Sequence, residues 1–113
     1  MSLTDDLTRL KDLDRATYVS YAAQVGAIRY EMADGLGKLN VDKCNHVTAK
    51  AILQHCPQEA IAARGWILEQ STSAIKPFAK IWKPGDAIWM LYIRCAESHV
   101  AALLACYIAA LEA

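Results

Sequence analysis

At 113 residues, with 55% apolar and 21% charged side chains, the chain reads as one domain (residues 1–113), large enough to bury a core without a disulfide or metal staple. Its 12 basic and 12 acidic side chains cancel to a formal charge of zero. The apolar content excludes disorder, and the charge balance argues against nucleic acid as a partner, since that role needs a basic surface. Near-neutrality also removes the self-repulsion that keeps copies of a protein apart.

Met1-Ser2-Leu3-Thr4-Asp5-Asp6 has no basic stretch followed by an apolar one, so no secretory signal is predicted. The expected location is the cytoplasm, with Cys44, Cys56, Cys95 and Cys106 as reduced thiols. Ser2-Leu3-Thr4-Asp5 resembles a capping box, and Leu3, Leu7 and Leu10 recur at helical spacing behind it. Asp14 falls where that stripe wants an apolar residue, which predicts a break between Asp12 and Asp14.

From Ala16 to Ala33 the helical signal is strong. Tyr18, Tyr21, Val25, Ile28 and Met32 form one stripe, and Ala16, Val19, Ala23 and Tyr30 a second. The polar edge between them is narrow, which predicts a helix buried over most of its circumference. Asp34-Gly35-Leu36-Gly37 supplies the glycines that close a helix. Asp42 or Asn45 can cap the next helix, which carries Val47, Ala49, Ile52 and Leu53 to about Cys56. Pro57 suits the first turn of a third helix running through Ile61, Ile67 and Leu68 to Ser71-Thr72-Ser73. A short helix with Phe78, Ile81 and Trp82 on one face follows Pro77, and Lys83-Pro84-Gly85-Asp86 makes a turn. The last predicted helix runs from Ala87 to about Leu111. Its two apolar runs are parted by Arg94-Cys95-Ala96-Glu97-Ser98-His99, so it reads as a central helix with a solvated stripe and not as a membrane span.

Cysteines and histidines come in pairs: Cys44 with His46, His55 with Cys56, Cys95 with His99. On a helix, Cys95 and His99 would share a face and could ligate one metal ion. Cys106 would lie about 10 Å beyond His99 along the axis, too far for the same ion. No Cys-x-x-Cys or His-x-x-x-His spacing completes a site, so no cofactor is expected and the cysteines read as small buried groups. His55-Cys56-Pro57 resembles a short haem-binding motif, but a helix start at Pro57 accounts for the proline fully and no haem is expected. Neither the Glu-x-x-His pairs of a di-iron bundle nor a phosphate loop is present, since Gly35-Leu36-Gly37-Lys38 lacks the long spacing.

Two patterns point to an interaction surface. Lys76, Lys80, Trp82 and Lys83 form a local basic and aromatic patch, which on a helix would be the solvated back of a core-facing stripe. Ala101, Ala105 and Ala109 repeat every fourth residue, as do Ala22 and Gly26, and small residues at that spacing let helix backbones approach closely.

The expected architecture is therefore an all-α single-domain bundle of about five helices, with the two long ones, 16–34 and 87–111, at its centre. The expected function is that of a small non-catalytic protein-interaction module, acting as a homodimer. Inhibitors, immunity proteins and assembly subunits of bacteria and phages have this character as a class. Alternatives are a metal or ligand binder using the cysteine–histidine pairs, and a small helical enzyme subunit.

Overall fold

A computed structural model of the protein describes residues 3–32, 47–71, 76–85 and 92–113, and side chains within these from residue 5 to 25 and from residue 51 onward. The leucine spacing at the start gives α1 (Leu3–Leu13), with Leu7 and Leu10 buried. The break falls at Asp14, inside the window that the sequence predicts. Asp14 caps α2 (Arg15–Met32): its carboxylate accepts the Thr17 N–H at 3.3 Å and the Thr17 hydroxyl at 2.6 Å. The capping box at Ser2 and the caps at Asp42 or Asn45 lie outside the described residues.

Next comes α3 (Val47–Ala63), which passes straight through Pro57. The proline is buried inside the helix instead of starting it, leaving the Leu53 carbonyl without the N–H that would normally bond it. Gly65 then ends the helix at φ 75°, with Trp66 N–H on the Ile61 carbonyl at 3.1 Å and Gly65 N–H on that of Ala62 at 2.9 Å. Those two bonds satisfy carbonyls that the last turn would otherwise orphan, and only glycine adopts that φ without strain.

Beyond Gly65 the all-helical expectation fails. Ile67–Gln70 is a strand, β1; Phe78–Trp82 is β2; Tyr92–Cys95 is β3. They form an antiparallel sheet in the order β1-β2-β3, with Ile67 opposite Trp82, Glu69 opposite Lys80, Phe78 opposite Cys95 and Lys80 opposite Ile93. The predicted helix through Ile67 and Leu68, the helix after Pro77 and the first half of the helix 87–111 give way to this sheet, residues 86–91 lying outside the described ones. The fold is thus a mixture of helix and sheet, not a five-helix bundle.

The physical reason is visible in β2. Its burial alternates, with Ala79 and Ile81 covered and Phe78, Lys80 and Trp82 half-buried. The residues on the less buried face are themselves largely apolar, so alternation in burial is not alternation in chemistry. A strand written this way reads as a short continuous apolar run, which periodicity alone cannot tell from a helix.

Only the second half of the predicted long helix is helical: α4 (His99–Glu112). Ser98 caps it, its hydroxyl oxygen accepting the Ala101 N–H at 3.1 Å. This helix is the centre of the molecule, with β2 and β3 on one side and α1 and α3 on others. Leu103, Leu104, Cys106, Tyr107 and Ile108 pack with Leu7, Leu10, Leu53, Ile61 and Ile81 in one core. Helix α2, expected to share the centre, instead packs on α1 and α3 and leaves its second stripe exposed: Ala16, Ala23 and Val19, the last 52% exposed. Gln54 and Gln58 of α3 both donate to the Gln70 side-chain oxygen, at 2.6 and 2.9 Å, and tie β1 to the helix beside it. Among the described residues no helix is long and apolar enough to cross a membrane.

Candidate functional site

On α4, residues Ala102, Leu103, Leu104, Cys106, Tyr107, Ile108 and Ala110 are buried. Ala101, Ala105 and Ala109 are only partly covered, and they form the floor of a groove of about 320 Å³ between α1 and β3. The three alanines therefore share one partly covered face of α4, and among the described residues no side chain of α2 lines the groove. Arg94, Cys95 and Ala96 line it from the β3 side, and Asp6 of α1 and Glu112 of the last turn complete the lining.

The charges in this groove are unevenly matched. Asp6 is 6% exposed, and burial lifts its carboxyl above the ordinary range, with Asp5 and Glu112 adding repulsion. The positive charge of the chain's amino terminus and, more weakly, Arg9 oppose that rise, Arg9 being itself ion-paired with Glu112. Arg94 turns its guanidinium onto the Ile93 carbonyl beside it, at 2.7 Å.

The lysine–tryptophan patch does not survive as a unit. Lys80 and Trp82 share the sheet face turned away from α4, with Lys80 5.2 Å from the centre of the Phe78 ring. Lys76 is exposed before β2. Lys83 turns the other way: its ammonium lies 4.6 Å from the Trp66 ring centre and 5.0 Å from that of Tyr92, and donates to the Ala110 carbonyl at 2.6 Å. A cation on the last carbonyls of α4 completes the helix terminus. Lys83 is a structural clamp.

Cys95 and His99 do not share a helix face, because Cys95 ends β3 and His99 opens α4 on the far side of the Ser98 cap. The geometry that made them a ligand pair is gone. Among the described residues no three His, Cys, Asp or Glu side chains stand together as a metal site. Cys56, Cys95 and Cys106 are free thiols, and Cys44 with His46 lies outside the described residues.

A second groove, of about 340 Å³, separates α2 from α3 and carries Thr17, Ser20, Gln24, His55, Cys56 and Glu59. Cys56 is its buried thiol. Burial raises its pKa and outweighs the hydrogen bonds from Ser20 and Gln24, so it stays protonated. A protonated thiol is a poor nucleophile, and the His55–Glu59 pair at 3.7 Å is at the exposed rim. Cys106 is held more firmly still: its thiol donates to the Tyr92 carbonyl at 3.0 Å and burial pushes it up to about 11.

One cluster went unseen in the sequence. The Tyr107 hydroxyl donates to Asp14, Arg64 Nε donates to the same hydroxyl at 3.1 Å, and the Arg64 guanidinium stands 3.7 Å from Asp14. Burial lifts Tyr107 to about 12, with the bond to Asp14 adding to it. Burial works in the same direction on Asp14, but the bonds from Thr17 and Tyr107 and the Arg64 charge outweigh it and hold that carboxyl below its ordinary range. The cluster ties the α1–α2 corner to α3 and α4. Its only trace in the sequence is Asp14, a carboxylate on an apolar stripe. Comparison of the chain with protein-family models, curated proteins and solved structures finds no match to any of them.

Proposed function

We propose that the protein is a non-catalytic interaction module, of the inhibitor, immunity-protein or assembly-subunit class, which docks another protein along the α4 groove. One observation carries this reading. Among the described residues, Ala101, Ala105 and Ala109 form a partly covered face of the otherwise largely buried α4, and Asp6, Arg94 and Glu112 line the groove beside it. Small side chains let a second backbone approach closely, and charges at the rim select its orientation. The thiols favour binding over chemistry, since Cys56 and Cys106 are both held protonated.

The test is site-specific photocrosslinking in the native host. A photoreactive residue at position 105 is expected to give one discrete crosslinked species, and the same residue at Val19, exposed on α2, is expected to give none. Equal, diffuse crosslinking from both positions would remove the groove as a docking surface.

A further inference from the structure

The backbone of β3 is paired on one side only. Ala96 N–H bonds the Pro77 carbonyl at 3.3 Å, and this bond, with the β2–β3 register, fixes which way each backbone group points. Tyr92, Arg94 and Ala96 turn their amides and carbonyls to β2, so those of Ile93 and Cys95 point out of the sheet. Strand β3 packs on β2 and α4, and no described strand pairs with its far side. Ile93 is 43% exposed, and Arg94 and Cys95 are exposed beside it.

Outward N–H and C=O groups are a template onto which another extended chain can add. Tyr92 and Ile93 are strand-forming residues, and Arg94 is the one charged residue of β3. Arg94 opposes addition in two ways. Its guanidinium donates to the Ile93 carbonyl at 2.7 Å, which is one of the acceptors that an added strand would use. The second way follows from symmetry. An antiparallel β3 from a second copy makes the most bonds when Ile93 of each chain stands opposite Cys95 of the other, because both residues then use their outward groups. That register sets Arg94 directly opposite Arg94 of the other copy, in a non-hydrogen-bonded pair with Cα atoms about 4.5 Å apart. Like charges so placed oppose pairing. A shift of two residues relieves the repulsion but gives up part of the ladder.

We infer that Arg94 guards the β3 edge: by capping the Ile93 carbonyl and repelling its counterpart, it keeps β3 from pairing antiparallel with the β3 of a second copy. This holds whether or not a partner docks along the α4 groove.

Sedimentation over a concentration series tests the guard, with circular dichroism confirming that each variant keeps the wild-type fold. Arg94→Val is expected to self-associate more tightly than the wild type by about tenfold or more. Its infrared spectrum should gain an intermolecular strand band as association proceeds. Arg94→Lys keeps the charge and is expected to behave like the wild type. Arg94→Val combined with Ile93→Pro is expected to fall back to wild-type association. The Ile93 N–H points outward, so proline there removes no bond to β2 while it blocks an added strand. An Arg94→Val chain that associates no more than the wild type overturns the inference. So does an Arg94→Lys chain that associates like Arg94→Val. Association that persists when Ile93→Pro is added also overturns it, because the contact would then lie away from this edge.

Discussion

Two aspartates, one in the first turn of α1 and one at the corner after it, have opposite effects on stability. Asp14 is held below its ordinary pKa of 3.8, so the unfolded chain takes up its proton first as pH falls. Its contribution is complete above that ordinary value and disappears as pH drops through the depressed one. Asp14→Asn should therefore flatten the acid side of the stability profile, measured by denaturant unfolding at stepped pH. Tyr107→Phe keeps the ring but takes from Asp14 the hydroxyl that donates to it and from Arg64 Nε its acceptor. It should cost about 1–3 kcal/mol in the same assay. Asp6 is raised above 3.8, so its effect reverses: the stability it allows is present below that value and lost as pH rises through the raised one. Asp6→Asn should thus raise the melting temperature of the monomer at neutral pH, with the gain vanishing in acid. An unchanged or lower melting temperature at neutral pH would show that the carboxylate already has the cation it needs.

At the scale of elements, what could be read from the sequence was whatever depended on neighbours. Leu7 and Leu10 mark α1, Asp14 marks the corner after it, and Ala101, Ala105 and Ala109 mark one partly covered face of α4. The sheet was hidden because its strands are four or five residues long and carry apolar side chains on both faces: Phe78 and Trp82 on one side of β2, Ala79 and Ile81 on the other. Ile67 and Ile93, 47% and 43% exposed, continue the outer face and complete the disguise. The usable signals were Gly65, a glycine at the end of an apolar helix pattern, and Ser98, a capping residue inside what looked like one long helix. The lock at Tyr107 could not be read at all, since its partner Asp14 lies 93 residues away. Gly65 can be tested directly. Its φ of 75° is one that alanine adopts only under strain, although nothing crowds the space a Cβ would enter. Gly65→Ala should cost about 1–2 kcal/mol by thermal unfolding, a purely backbone effect.

For the whole molecule, α4 is the piece on which the others converge. It supplies Leu103, Leu104, Tyr107 and Ile108 to the core, receives the Lys83 clamp at its end, and is paired at Glu112 with Arg9 of the first helix. A contact 103 residues apart in sequence joins α1 to α4, so the order of synthesis and the order of packing are reversed. Helix α1 leaves the ribosome first and must wait for nearly the whole chain before Leu7 and Leu10 find their cover. During that interval the apolar face of α1 and the inner face of the sheet, with Ala79 and Ile81, have nothing central to pack on. A chain stopped at Ser98 should therefore lack cooperative unfolding and expose apolar surface to a fluorescent dye, whereas the intact chain should melt in one transition.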